Sequence, residues 1–169
     1  MNEIRENASS TPAEVGEIIQ YIVIKIDDEY YGINIKFIDN IVRMQQITRV
    51  PKVDAFLKGV INIRGEIVPV MSIRMKMGLK EEELTDKSRI IILKTEAGDL
   101  VGIIVDQVNQ VLTLDSKNIE KVRYDDKKGK SNATFVSGVG HYDGGLVSIL
   151  DLDAVVSVKD SKEKASNAS

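Results

Sequence analysis

The sequence predicts an all-β protein made of two related β subunits, and three observations support this prediction. Short runs of β-branched residues, such as YIVIKI at Tyr21–Ile26 and RIIIL at Arg89–Leu93, alternate with turn residues along the chain. Few segments show a helical period. Finally, the segment Phe56–Ile73 resembles the segment Phe135–Leu152 without a gap. Two packed β subunits explain this repeat better than one long sandwich, although chance matching of β-rich segments is the alternative.

The two ends of the 169-residue chain are predicted to be disordered tails. Met1–Glu17 and Lys159–Ser169 are both poor in apolar residues, and the stretch Tyr124–Ser131 (YDDKKGKS) is typical of an exposed loop. The ordered domain is therefore expected to run from residue 18 to residue 158. A single domain of this size buries enough surface to need no disulfide or metal for its stability.

The clearest local element is a β-hairpin in GVINIRGEIVPVMS. Its two strands are joined through Ile63, Arg64, Gly65 and Glu66, and Gly65 can adopt the positive φ that such a turn requires. Pro69 cannot donate a hydrogen bond to a ladder, so its strand is expected at a sheet edge or at a bend.

Helices are expected to be few and short. Four segments have room for one or two turns: Lys36–Val42, Val53–Lys58, Ile73–Gly78 and Asp151–Val156.

The residue inventory leaves little material for catalysis. The chain has no cysteine, so thiol nucleophiles and zinc–thiolate sites are excluded, and His141 is its one histidine. No phosphate-binding glycine motif and no nucleophile elbow occurs. The acidic clusters lack the alternating oxygen ligands of a calcium loop. We therefore expect no enzyme activity, no cofactor and no metal site. The alternative is a small enzyme built around His141.

Charge is distributed unevenly along the chain. Residues 36–80 contain nine Lys and Arg against three acids, a net charge of +6, so the rest must carry −9 to reach the total of −3. Such polarity can steer a protein partner. Nucleic acid is a poor fit because few aromatic residues accompany the basic ones. No apolar run reaches the length of a membrane span.

Two groups of residues are candidate binding sites. Asn62, Arg64 and Gly65 form the tip of the hairpin, where an arginine fork can grip a carboxylate or carbonyl of another chain or simply be solvated. Ile35, Ile38 and Ile41 recur at helical spacing. They are expected either to plug the end of a barrel or to line a groove for a partner helix.

These residues resemble the CheW family of bacterial chemotaxis coupling proteins. The resemblance rests on VINIRGEIVPVMSIRMKMGL, on the preceding ITRVPKVDAFLKG and YYGINIKFIDNIV, and on VGIIVDQVNQVLTL. It covers roughly residues 20–158. It implies two SH3-like five-stranded barrels packed side by side, with a few short helices. The subunits would be intertwined, at roughly residues 18–85 and 86–158, and would exchange strands at their ends.

The resemblance also implies a function. Members of the family are non-catalytic cytoplasmic adaptors, recruited to membrane-associated receptor arrays, that couple the cytoplasmic tips of chemoreceptors to the regulatory domain of the histidine kinase CheA. Carried over by position, the receptor groove would consist of Ile22, Ile35, Ile38, Ile41 and Val108, with Arg64 nearby. The kinase contact would lie mainly on the second barrel, with its residues unassigned. Many members carry an acid where this chain has Asn40. The alternative is a small β-barrel module for nucleic acid or another signalling partner.

Overall fold

Two β-sheets make up the body of the protein. The computed structural model describes residues 16–81, 83–122 and 135–157. Sheet A has six strands in the order β8-β1-β2-β11-β10-β9. These strands are β1 (Ile18–Ile26), β2 (Glu29–Asn34), β8 (Gln107–Asp115), β9 (Ile119–Lys121), β10 (Val136–Tyr142) and β11 (Gly145–Leu150). Sheet B has five strands in the order β3-β6-β7-β5-β4. They are β3 (Ile38–Arg43), β4 (Leu57–Ile63), β5 (Glu66–Ser72), β6 (Arg89–Lys94) and β7 (Leu100–Val105).

Each sheet takes strands from both halves of the chain. The hairpin β1–β2 joins sheet A through parallel pairing of β2 with β11, and the hairpin β6–β7 joins sheet B through parallel pairing of β7 with β5. The exchange therefore involves a whole hairpin from each half. As a result, the chain crosses from sheet A to sheet B after β2 and returns to sheet A after β7.

The repeat found in the sequence corresponds to two equivalent structures. The hairpin β4–β5 and the hairpin β10–β11 each carry a bulge at the same relative place, between Leu57 and Gly59 in one and between Val136 and Gly138 in the other. Each hairpin leads into a short helix, α1 (Ile73–Lys76) or α2 (Leu152–Val156). These helices begin alike. The Ser72 side chain accepts a hydrogen bond from the amide of Met75, and Asp151 accepts one from Ala154.

The predicted fold class is confirmed, with one difference in strand number. The fold is mainly β, with two SH3-like barrel subdomains side by side, but sheet A has six strands and not five. The reason is that β8 runs into a 3₁₀ turn, Ser116–Asn118, and continues as β9, which pairs with β10. In sheet B the corresponding closure is a single bridge between Thr48 and Val60.

Gly59 permits this bridge. Its φ is +146°, and a Cβ atom there would lie 2.1 Å from the carbonyl oxygen of Thr48. No side chain fits at that distance, so only glycine lets the segment after β3 approach β4 closely. Gly138 has the same role beside Glu120, whose carbonyl oxygen would lie 2.8 Å from an added Cβ.

Buried apolar side chains form three clusters. One lies within sheet B and includes Val68, Val70 and Ile90, and a second lies within sheet A and includes Val23 and Val147. The third and largest, here called the central cluster, draws residues from both sheets and both helices. Its fully buried members include Ile24, Ile33, Met71, Ile91, Ile103 and Val155. Burial of this cluster is the main attraction between the two sheets.

Two of the four predicted helices are absent. Lys36–Val42 forms a 3₁₀ turn, Ile35–Phe37, followed by β3, and Val53–Lys58 consists of turns that lead into β4. In the first case the pairing of β3 with β6 overrides the local spacing of the isoleucines. Helices near Ile73–Gly78 and Asp151–Val156 are confirmed.

The expectation for Pro69 holds in part. Its strand β5 lies inside sheet B, between β7 and β4, but β7 pairs only with Val70–Ser72. Pro69 therefore lies on the portion of β5 that has one neighbour, opposite Val60.

Most of the predicted tails and the loop Tyr124–Ser131 lie outside the described residues, apart from Gly16 and Glu17 at the end of the first tail. The backbone amide of Glu17 donates a hydrogen bond to the Ser116 hydroxyl, and its carbonyl accepts one from the Ser116 amide.

Candidate functional site

A bulge in β3 turns Ile38 and Ile41 to the same face of sheet B. In a regular strand, residues three apart point to opposite faces. Here Ile38 pairs with Leu93 and Asn40 with Ile92, so Asp39 is an extra residue and Ile41 pairs with Ile91. Leu93 and Ile91 are both members of the central cluster, and the two isoleucines pack against it while remaining partly exposed.

Ile22 and Val108 reach the same cluster from sheet A. Ile22 lies on β1 and is nearly buried, whereas Val108 on β8 pairs with Ile24 and is partly exposed. Both pack in or against the central cluster. The structure thus brings four of the predicted groove residues, two from each sheet, to one apolar region where the sheets meet.

Ile35 differs from these four. It lies in the 3₁₀ turn between β2 and β3, where the chain passes from sheet A to sheet B, and it is 40% exposed. The Asn34 side chain fixes this turn by accepting a hydrogen bond from the amide of Lys36. An isoleucine so exposed adds little to the core and is available to a partner.

The hairpin motif forms the turn that the sequence predicted. Ile63 pairs with Glu66, which leaves Arg64 and Gly65 as a two-residue loop with φ values of +52° and +84°. Positive φ at both positions is the signature of a type I′ turn. The Asn62 side chain accepts a hydrogen bond of 2.9 Å from the amide of Gly65. Asn62 therefore shapes the loop, and the exposed Arg64 side chain projects from it.

Arg64 and the isoleucines belong to different parts of sheet B. The hairpin strands contribute Ile61 and Val68 to the cluster inside that sheet, whereas Ile38 and Ile41 pack against the central cluster. A partner that touches both groups must therefore extend over more than one face of the subdomain.

Sequence reasoning missed Val111 on β8. It pairs with Ile22 across the β1–β8 ladder, and it is 52% exposed. Val111 therefore extends the apolar region from the central cluster onto the open surface of sheet A. A bulge in the β1–β8 ladder interrupts the alternation of apolar and polar residues around Asn109 and Gln110. The strand pattern alone therefore did not indicate on which face of the sheet Val111 lies.

The Asn40 side chain accepts a hydrogen bond from the amide of Ile41, 2.8 Å away. This amide contact is local and stabilises the bulged backbone of β3.

His141 lies on β10 and forms a surface pair with Glu120 on β9. Its Nε2 atom is 3.3 Å from the Glu120 carboxylate, and both side chains are largely exposed. No group of three or more metal-ligating side chains occurs within residues 16–81, 83–122 and 135–157. In the same ranges, no helix has both the length and the apolarity to cross a bilayer.

Comparison with known families and proteins gives consistent matches. A family model described as the CheW-like domain matches residues 20–160. A chemotaxis protein CheW from Bacillus subtilis is 34% identical over 155 residues, which cover 90% of this chain and 96% of the relative. One from Thermotoga maritima is 31% identical over 146 residues, covering 86% of this chain and 93% of the relative.

A solved structure also resembles this one. The crystal structure of the scaffolding protein TtCheW from Thermoanaerobacter tengcongensis superposes with a TM-score of 0.73 and 28% sequence identity. The superposition covers 84% of this chain and 90% of that protein. The sequence comparison and the structural comparison therefore point to the same family, and each covers most of the described residues.

Proposed function

The chain belongs to the CheW-like domain family, and from this membership we propose that it is a non-catalytic adaptor that couples chemoreceptors to the histidine kinase CheA in bacterial chemotaxis. The observation that carries the proposal is the family match over residues 20–160, which spans both sheets. The alternative, a small β-barrel module for nucleic acid or another signalling partner, is not favoured, since the relatives are chemotaxis proteins named CheW.

In this proposal the receptor tip binds where the two sheets meet. Apolar side chains of a receptor helix would contact the partly exposed Ile38, Ile41 and Val108, with Ile22 beneath them and Ile35 at one side. These residues already pack against a rigid core, with the exception of Ile35, so little side-chain entropy is lost on binding. Burial of their remaining exposed surface supplies the attraction.

Arg64 would provide a polar contact to the same receptor or to a neighbouring chain. Its guanidinium has five donors in a fixed plane, which suits carboxylates and backbone carbonyls. The two-residue turn holds it away from the sheet and in solvent.

The kinase would occupy a different surface. We propose that its regulatory domain contacts mainly the second barrel, whose strands β8–β11 lie in sheet A. Two separate surfaces allow one adaptor to hold receptor and kinase together. Coupling then arises because the adaptor fixes where the kinase sits, so that the receptor state biases its activity. Repeated contacts in a receptor array allow each one to be weak.

Reconstitution tests the proposal directly. Receptor cytoplasmic fragments, CheA and this protein are mixed, and both co-sedimentation and kinase autophosphorylation are measured. We expect kinase to sediment with receptors and to be stimulated only when the protein is present. If neither result depends on the protein, the proposal is wrong.

A further inference from the structure

Two arginines stand directly opposite each other at the end of the β3–β6 ladder. Arg43 pairs with Arg89 as the last pair of the antiparallel register. Arg43 follows Ile41 by two residues on β3, and Arg89 precedes Ile91 by two residues on β6, so the side chains of both arginines leave the same face of the sheet as the two isoleucines. The face therefore presents Ile38 with Leu93, then Ile41 with Ile91, and then two cationic side chains.

The two arginines have different surroundings: the guanidinium of Arg89 is held by hydrogen bonds, whereas that of Arg43 is exposed to solvent. Arg89 is half-buried, and its Nη1 atom donates to the carbonyl oxygens of Asp86 at 2.7 Å and Ser88 at 2.8 Å. Arg43 is exposed and makes no hydrogen bond or ion pair with any of the residues that the structure describes. Both line a cleft of about 420 Å³ together with Met44, Thr85, Asp86 and Ser88.

Neither arginine is neutralised by a carboxylate of the described chain. Asp86 is the acidic residue that lines the cleft, yet no ion pair within 4 Å joins it to Arg43 or Arg89. Side chains directly opposite in an antiparallel pair have Cβ atoms roughly 4.5–5.5 Å apart, and like charges at that distance destabilise the sheet. The free protein thus keeps an unfavourable pair at the end of an apolar row.

We propose that Arg43 and Arg89 together bind a carboxylate side chain of the partner helix that lies along Ile38 and Ile41. An anion between the two guanidinium groups removes their repulsion and gains charge-assisted hydrogen bonds. The inference rests on the proposed receptor-binding function. It adds the chemistry of the partner: an amphipathic helix with an acid beyond its apolar anchors.

The spacing along the strand fits such a helix. Two residues of a β-strand span about 6.6–6.8 Å. One turn of an α-helix rises about 5.4 Å. A helix that follows the strand direction therefore places an Asp or Glu roughly one turn beyond the apolar residue that contacts Ile41.

Binding variants test the pairing. Arg43→Glu is compared with Lys94→Glu, a matched control because Lys94 is exposed on β6 but leaves the opposite face of the sheet from Arg89. In co-sedimentation with receptor cytoplasmic fragments at low salt, we expect Arg43→Glu to lower the affinity by about tenfold or more, since like charges then meet across the interface. Lys94→Glu is expected to bind as the wild type does. Equal binding by Arg43→Glu and wild type would overturn the inference.

A charge swap identifies the partner group. Single Asp or Glu residues of the receptor fragment are replaced by Arg, and one of these variants is expected to restore binding to Arg43→Glu. Should no acidic position restore it, the arginines do not pair with a receptor carboxylate.

A melting experiment separates this inference from the proposed function. At low salt, where charge repulsion is least screened, Arg43→Gln is expected to melt about 1–4 °C above the wild type. Polyglutamate is expected to raise the melting temperature of the wild type and not that of Arg43→Gln. If receptor fragments fail to bind the wild type while both melting results hold, the proposed function is wrong and the anion site stands. A lower or unchanged melting temperature for Arg43→Gln, or no effect of polyglutamate on the wild type, contradicts the anion site itself.

Discussion

Arg64 keeps a left-handed backbone conformation, with φ +52°, at the tip of the β4–β5 hairpin. Glycine and asparagine adopt this conformation more readily than arginine. The side chain is exposed, and no packing within the hairpin accounts for an arginine at this position. The residue is therefore held at some cost in stability, which is typical of a side chain selected for contact with another molecule.

Replacement of Arg64 separates stability from coupling. Arg64→Gly is expected to raise the free energy of unfolding by about 0.5–1 kcal/mol because the strain disappears, and Arg64→Ala to change it little. Both variants should weaken receptor co-sedimentation and kinase stimulation. Urea denaturation measures the first effect and reconstitution the second. Full coupling by Arg64→Ala would remove Arg64 from the binding site.

Tyr21 links stability to alkaline pH. Burial of its side chain in sheet A raises the pKa of the phenol above its ordinary value near 10, and the negative charge of Glu17 raises it further. The folded state binds the phenol proton of Tyr21 more tightly than the unfolded state does. The stability that this gives the folded state is therefore complete below pH 10 and is lost as the pH rises towards the pKa of Tyr21 in the folded state.

We expect Tyr21→Phe to lose less stability than the wild type between pH 8 and about 11, because the ionisable phenol is gone. Urea midpoints measured across this range test the difference. Tyr30→Phe is the control, since Tyr30 is exposed on the neighbouring strand. Parallel pH curves for Tyr21→Phe and wild type would show that Tyr21 does not govern the alkaline loss.

At the scale of elements, the bulged strand β3 determines which apolar side chains line the proposed groove. Its bulge at Asp39 places Ile38 and Ile41 on the central cluster, while Val42 packs into the cluster inside sheet B. One face of β3 thus packs into the core of sheet B, and the other face packs where the two sheets meet. The isoleucines therefore plug the core and remain partly exposed at the same time.

Aspartate substitutions distinguish these two roles. Ile35→Asp should leave the unfolding free energy within about 0.5 kcal/mol because Ile35 is exposed, whereas Ile38→Asp should cost roughly 1–3 kcal/mol through burial of a polar group. Both are expected to reduce receptor co-sedimentation while binding of the CheA regulatory domain persists. Leu84→Asp, an exposed apolar residue outside the groove, is the control. Equal loss of receptor and kinase binding in Ile38→Asp would indicate a structural role alone.

At the scale of the whole molecule, Arg74 ties the two sheets together. Arg74 lies on α1, the short helix that follows β5 of sheet B, and its side chain is 9% exposed. Its Nη1 atom lies 2.6 Å from the carboxylate of Asp106, between β7 and β8, and its Nη2 atom lies 3.3 Å from Asp27, between β1 and β2. The Asp27 amide also donates to the Asp106 carboxylate, at 2.7 Å. The turn between β1 and β2 and the crossing from β7 to β8 thus meet at one guanidinium.

Loss of this guanidinium should loosen the junction of the sheets. We expect Arg74→Met to cost about 2–3 kcal/mol, less than the roughly 3–5 kcal/mol typical of a fully buried pair, because Asp27 and Asp106 are partly exposed to water. Urea denaturation gives the value, with Arg49→Met, an exposed arginine, as control. A cost no greater than that of the control would show that the apolar central cluster alone joins the sheets.

Local patterns were sufficient for the parts of this protein that depend on neighbours in sequence. The β-branched runs, the two-residue turn at Arg64 and Gly65 and the repeated hairpin were all predictable, because alternation and turn chemistry are properties of short segments. The resemblance of these segments to a known family supplied the barrels and the adaptor function. No pattern in the segment itself indicated that Lys36–Val42 would be a strand, since its spacing is helical.

Contacts between residues far apart in the chain determined the features that local patterns did not predict. The exchange of hairpins, the bulge at Asp39, the meeting of Arg43 with Arg89 and the contacts of Arg74 each join residues far apart in the chain. The alternation of side chains in a single strand is the same whichever strand lies beside it, so it specifies neither partner nor register. The sequence by itself therefore determined the β-branched strands, with β3 as an exception, and which residues are apolar. Only the tertiary structure decided which of those residues face each other where the two sheets meet.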